Sequence, residues 1–151
     1  MKPLYIGASA EINPDFMSRM IMKFTKCKFS HLFIHDEETI YHSVDDGVGT
    51  EDYEEFLKTH HVWSKPIELK VSYDYFRGYM KGTEGIGYSQ SQYFGFILRR
   101  GFFRKLFRNG KSKVICSEYV ANTLNDCFGY RIANTDWVEP KDVFNLVKGE
   151  L

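Results

Sequence analysis

Three cysteines and five histidines are the side chains of this 151-residue chain best suited to nucleophilic or metal chemistry. A nucleophilic cysteine needs a lowered pKa, a base within reach and a group that orients that base. Cys116 has the best position for the first requirement. It stands where the β-prone run Lys113-Val-Ile gives way to a helical pattern. The unpaired N–H groups and positive dipole end of a helix start favour a thiolate there. Cys127 falls at the far end of the same helix, where the dipole opposes a thiolate, and Cys27 follows a helix with no such advantage. A buried, inert thiol is the alternative reading of Cys116.

The bases come from the stretch Phe29 to Val44, two β-prone runs around the polar turn Asp36-Glu37-Glu38-Thr39. That pattern predicts an antiparallel hairpin. Alternation puts His31, Phe33 and His35 on one face, with Leu32 and Ile34 on the other. If Asp36 pairs with Thr39, then Phe33 pairs with His42, and His42 becomes a same-face diagonal neighbour of His31. Two imidazoles so placed can hydrogen-bond, one orienting the other. A slip of one residue would separate them. A hairpin that merely exposes its histidines is the competing reading, and His60 and His61 read as a solvated helix end. His31, His35, His42 and Cys116 could converge on zinc, which takes three or four tetrahedral ligands. Their spacing carries no metal signature, so no metal and no cofactor are expected.

These side chains need elements to hold them. Residues 4–8 read as a short buried strand. Asn13-Pro14-Asp15 predicts a helix over 14–26, capped by the Asn13 amide, with Phe16, Met17, Met20, Ile21 and Phe24 on a core-facing stripe. Asp45-Asp46-Gly47 ends the hairpin, and Val48-Gly49 leads into a short helix over 51–58. A further strand over 62–71 is restricted to an edge or bulge by Pro66. Ser72 caps a helix carrying Tyr75, Phe76, Tyr79 and Met80, and Gly82, Gly85 and Gly87 break the chain before Tyr88. Helical patterns follow over 91–107, over 117–125 with Val120, Ala121 and Leu124, and over 141–148 after Glu139-Pro140. No repeat or linker divides the chain, so one domain over 1–151 is expected.

Composition narrows the function. With 17% aromatic residues and a formal net charge of zero, the chain is neither disordered nor a dedicated nucleic-acid binder. No apolar run reaches the ~18–20 residues that cross a bilayer, and no secretory signal is legible. The three cysteines form no framework and read as reduced, so a cytosolic location is expected. Charge is nonetheless segregated: every charged side chain over 36–55 is acidic, and every one over 99–113 is basic. Two solvated faces that offset one another explain this without function. Alternatively, Phe102, Phe103, Leu106 and Phe107 interleave with Arg99, Arg100, Arg104, Lys105 and Arg108 as a basic amphipathic segment that docks on an anionic membrane or an acidic partner.

Four motifs together carry a resemblance. Phe29-Ser-His-Leu-Phe-Ile, Ile40-Tyr-His-Ser-Val with Gly47-Val48, Ile115-Cys-Ser-Glu-Tyr-Val-Ala, and Glu139-Pro-Lys-Asp-Val-Phe occur in the order of the circularly permuted NlpC/P60 group of papain-like cysteine hydrolases, related to lecithin:retinol acyltransferase. Histidine precedes cysteine here, as in that group, and Gly87-Tyr88 is similar to a step the family places upstream of its cysteine. The resemblance implies an α+β permuted papain-like fold, a small antiparallel sheet packed against the helix that bears Cys116. It further implies Cys116 as nucleophile, His31 as general base and His42 as the residue orienting His31, with Tyr5, Tyr88 and Ser117 as candidate substrate contacts. His42 departs from the glutamate of many bacterial members and matches the acyltransferase-like relatives. A neutral His42 supports an imidazolium less than a carboxylate does, and the pair titrates as a unit. The implied reaction is acyl transfer from an amide or ester to the Cys116 thiol, on a small-molecule, lipid or peptide substrate, with delivery by a phage or by lysis as the route to a cell wall. A non-catalytic module on the same fold, docking through segment 99–113, is the second hypothesis.

Overall fold

The computed structural model describes residues 2–88 and 113–149 of the chain. The β-prone runs of the first half form a five-stranded sheet in the order β4-β3-β2-β1-β5. Its strands are β1 (Leu4–Glu11), β2 (His31–His35), β3 (Thr39–Val44), β4 (Gly47–Asp52) and β5 (His60–Ile67). Every neighbouring pair is antiparallel. Pro66 lies on β5, an edge strand, where a missing N–H breaks no ladder. The helices are α1 (Phe16–Thr25), α2 (Tyr53–Leu57), α3 (Tyr73–Thr83), α4 (Cys116–Phe128) and α5 (Pro140–Lys148). A short parallel pair, β6 (Gly87–Tyr88) with β7 (Lys113–Val114), leads into α4. The architecture is α+β.

Strand alternation gives the sheet two unlike faces. Leu4, Ile6, Ala8, Leu32, Ile34 and Val48 share a core with Phe76 and Met80 of α3, Val120, Ala121 and Leu124 of α4, and Val143, Phe144 and Val147 of α5. The opposite face carries a smaller cluster, Phe33 and Ile40 under Phe56 of α2, with Tyr53 and Val62 beside it. The histidines of β2 belong to this second face. Caps follow local chemistry: the Ser72 hydroxyl accepts the Tyr75 N–H, and Glu139 precedes Pro140 in a capping box with Asp142.

Several expectations change. Residues 47–52 form strand β4 rather than the approach to a helix, because Gly47, at φ +108°, turns the chain back along β3. The helix expected over 51–58 is reduced to Tyr53–Leu57. α1 is capped by Asp15, whose carboxylate accepts the Ser18 N–H, not by Asn13. Of the stripe expected to face the core, Ile21 is buried but Phe16 is 75% exposed. Ser18 and Ile21 of α1 line a cavity. The helix expected over 91–107 lies outside the described residues.

Gly7 marks the tightest approach in the sheet. It pairs with Phe33 across β1–β2, and a Cβ there would stand 2.2 Å from the Phe33 ring. Phe33 is fully buried and cannot swing away. Gly7→Ala is therefore expected to lower the unfolding free energy by about 1–3 kcal/mol. Gly49→Ala, with nothing within 4 Å of the added carbon, is the control expected to stay within ~0.5 kcal/mol. Urea unfolding of the two variants beside the parent checks this, and equal stabilities would contradict it.

Candidate active site

The site is built on the β2–β3 hairpin. At its turn the Asp36 carboxylate accepts the N–H groups of Glu38 (3.1 Å) and Thr39 (2.8 Å), while the Asp36 N–H donates to the Thr39 carbonyl (3.2 Å). Glu37 takes the left-handed conformation this turn needs, φ 71°. The ladder that follows pairs His35 with Ile40 and Ile34 with Tyr41. That is the register required to make His31 and His42 diagonal neighbours, and their rings meet: His31 Nε2 lies 3.2 Å from His42 Nδ1. One of the two nitrogens must carry the proton of this hydrogen bond.

The pair opens on a cavity of about 310 Å³ lined by, among others, Glu11, Ser18, Ile21, Glu51, Phe56 and His60. Glu51 and His60 extend the constellation beyond the residues singled out in the sequence. On its outer side His42 Nε2 faces Glu51 Oε2 at 3.7 Å, longer than a hydrogen bond. His60 opens β5 instead of ending a helix, and its ring stacks on Phe56 with centroids 3.8 Å apart. An alternating reading of 47–52 would have brought Glu51 to the His42 face, but two glycines hide that strand in the sequence. Burial holds His31 well below the ordinary imidazole range, with His42 and His60 adding in the same direction. Burial, then His60, likewise brings His42 down to about 4. Both rings are neutral at neutral pH.

Cys116 is the first residue of α4 and is fully buried. The backbone N–H groups of Leu32, Ser117 and Cys116 itself act on its sulfur and favour the thiolate. Desolvation outweighs them and pushes the thiol up to about 11, so the helix start does not by itself ionise it. The Leu32 N–H belongs to the residue next to His31. Thiol and imidazole thus address the same point of β2, the sulfur through the backbone and His31 through its side chain.

The remaining candidates lie apart. Tyr5 is the cross-strand partner of His35, four residues along β2 from His31, and stacks on the His35 ring with centroids 5.0 Å apart. The Ser117 hydroxyl is buried and donates to the Val138 carbonyl at 2.6 Å, which ties α4 to the segment before α5. Tyr88 pairs through its backbone with Val114, just ahead of α4. His35 accepts the Glu37 N–H at Nδ1 (3.3 Å), so its Nε2–H donates to Ser64 Oγ (2.9 Å), and its second stacking partner is Tyr53 at 4.4 Å. It is a satisfied structural histidine. Among the described residues no group of three His, Cys, Asp or Glu side chains is set to hold a metal ion, and no disulfide is formed by Cys27, Cys116 or Cys127. No helix among them is long and apolar enough to cross a membrane. Arg99, Arg100, Arg104, Lys105 and Arg108, the expected membrane- or partner-docking residues, lie outside the described residues. Comparison of the chain with protein-family models, with curated proteins and with solved structures finds no match.

The buried neutral histidines make stability depend on pH. Burial lowers His35 and His42 to about 4, and the unfolded chain protonates them near 6.5. The folded state therefore binds fewer protons, and stability, complete above about 6.5, falls as the pH drops toward about 4. A loss on the order of 1 kcal/mol per buried histidine is expected between about pH 7 and pH 5. Urea unfolding across that range, compared with His35→Gln, checks it. The variant should show a shallower pH dependence, and identical slopes would overturn the assignment of neutral burial.

Proposed function

We propose that the chain is a thiol hydrolase or acyltransferase acting on an amide or ester bond through a covalent intermediate on Cys116. The observation that carries this reading is the Leu32 N–H acting on the Cys116 sulfur, one residue along β2 from a His31 whose Nε2 lies 3.2 Å from His42 Nδ1. With Nε2 so engaged, Nδ1 is the His31 nitrogen available to a proton from the thiol. The order His31, His42, Cys116 is also that of the permuted papain-like hydrolases the sequence resembles.

The chemistry follows from the neutrality of both partners. Burial raises the thiol and lowers the imidazoles, which favours the neutral forms over a thiolate–imidazolium pair. The Cys116 proton passes to His31 Nδ1 as the sulfur attacks the acyl carbon, and the carbonyl electrons move to oxygen. First-turn N–H groups of α4, beginning with that of Cys116, are the donors for this oxyanion. The tetrahedral intermediate collapses, the C–N or C–O bond breaks, and His31 returns the proton to the leaving amine or alcohol. Water, or an acceptor amine or alcohol, then gives its proton to His31 and attacks the thioester. Cys116 leaves as sulfur and recovers its proton from His31.

Incubation with a p-nitrophenyl acyl ester, an acid quench and intact-protein mass spectrometry test the reading. One acyl group on Cys116 is expected, none on Cys116→Ala, and a rate lower by roughly 10²–10⁴-fold in His31→Ala. Circular dichroism of each variant separates lost chemistry from lost fold. Acylation spread equally over Cys27 and Cys116, or a folded His31→Ala variant as fast as the parent, would overturn it.

A further inference from the structure

We infer that Glu51 is a positioning residue: its carboxylate, facing His42, fixes the tautomers of the His31–His42 pair so that His31 Nδ1 carries a lone pair. The bearing of this on catalysis rests on the reading of His31 as general base, whereas the tautomers themselves do not.

The placement comes from β4. His42 pairs with Gly49, and Glu51 follows two residues on, on the same face. A Cβ built at Gly49 meets nothing within 4 Å, so the approach of Glu51 to His42 does not depend on the glycine. Glu51 Oε2 stands 3.7 Å from His42 Nε2, with the His42 side chain only 5% exposed. A neutral imidazole holds one proton, and an ionised carboxylate can only accept. The proton of His42 is therefore favoured on Nε2, toward Glu51. His42 Nδ1 then holds a lone pair and must accept from His31 Nε2–H across the 3.2 Å contact. His31, neutral, is left with its lone pair on Nδ1. In the reverse arrangement His42 Nε2 would turn a lone pair toward the carboxylate, and His31 Nδ1 would be protonated and useless as a base. His60, another titratable neighbour of the pair, has its Nδ1 within hydrogen-bond distance of Thr59 Oγ1 (2.8 Å) and the Phe56 carbonyl (3.3 Å), so that nitrogen does not compete for these protons.

Imidazole ¹⁵N chemical shifts of histidine-labelled protein at neutral pH distinguish protonated nitrogens from lone pairs. In the parent, protonated Nε2 and unprotonated Nδ1 are expected on both His31 and His42. Glu51→Ala should blur this into a mixture of tautomers, and Glu51→Lys, which offers a donor to His42 Nε2, should move the protons to Nδ1 on both rings. Removing a merely structural side chain would not reverse the pattern with the sign of the charge. Acylation of Cys116 by the p-nitrophenyl ester should fall about tenfold in Glu51→Ala and further in Glu51→Lys. Unchanged ¹⁵N shifts in both variants would overturn the inference. Tautomers that move while the acylation rate stays constant would support the role of Glu51 and count instead against His31 as the base.

Discussion

The candidate site depends on how one tight turn sets the register of two strands. Asp36 accepts the N–H groups of Glu38 and Thr39 and donates its own to the Thr39 carbonyl. From that closure His35 must pair with Ile40 and Ile34 with Tyr41. Because side chains alternate, a slip of one residue would carry His42 to the opposite face while His31 stayed behind. The contact between the imidazoles is thus an outcome of turn chemistry some distance away. The two-faced packing resists the same slip, since it would drive Tyr41 out of the large core and Ile40 away from Phe33 and Phe56.

Burial sets the electrical state of the site. Histidine and cysteine side chains near a helix start and near one another would form an ion pair in water-accessible surroundings. Here the rings of Phe33 and Phe56 lie beside His31, and the thiol is sealed at the end of α4. Withdrawal from water penalises every charged form, so the imidazoles are held as bases and the sulfur as a thiol. N–H groups from Leu32, Ser117 and Cys116 do favour the thiolate, but desolvation outweighs them.

The sheet serves as the divider between two different environments. On one face β1 and β2 lend Ile6, Leu32 and Ile34 to the core that anchors α4, and with it Cys116. On the other, the same strands carry His31, Phe33 and His35 under α2. Gly7 lets Phe33 lie flat over β1, and Phe56 covers it with ring centroids 5.2 Å apart. The Cys116 sulfur therefore meets β2 through its backbone, at the Leu32 N–H, while the imidazoles stand on its alternate side chains.

Much of this is legible in the sequence because it is local. The hairpin, the His31–His42 diagonal, the Ser72 cap, the edge position of Pro66 and the Glu139-Pro140 helix start each follow from residues within a few positions of one another. Tertiary structure decided the rest. Residues 47–52 have little strand propensity and become β4 only because β3 offers a partner, which is what brings Glu51 to His42. His60 joins the cavity only because β5 pairs with β1 and Phe56 stacks on its ring. The Cys116 thiol is favoured by its helix start, a local effect, and overruled by its burial, a global one. Pattern and propensity report what a segment does with its own neighbours. Pairing across the sheet and removal from water depend on which distant segments arrive, and no local pattern encodes that.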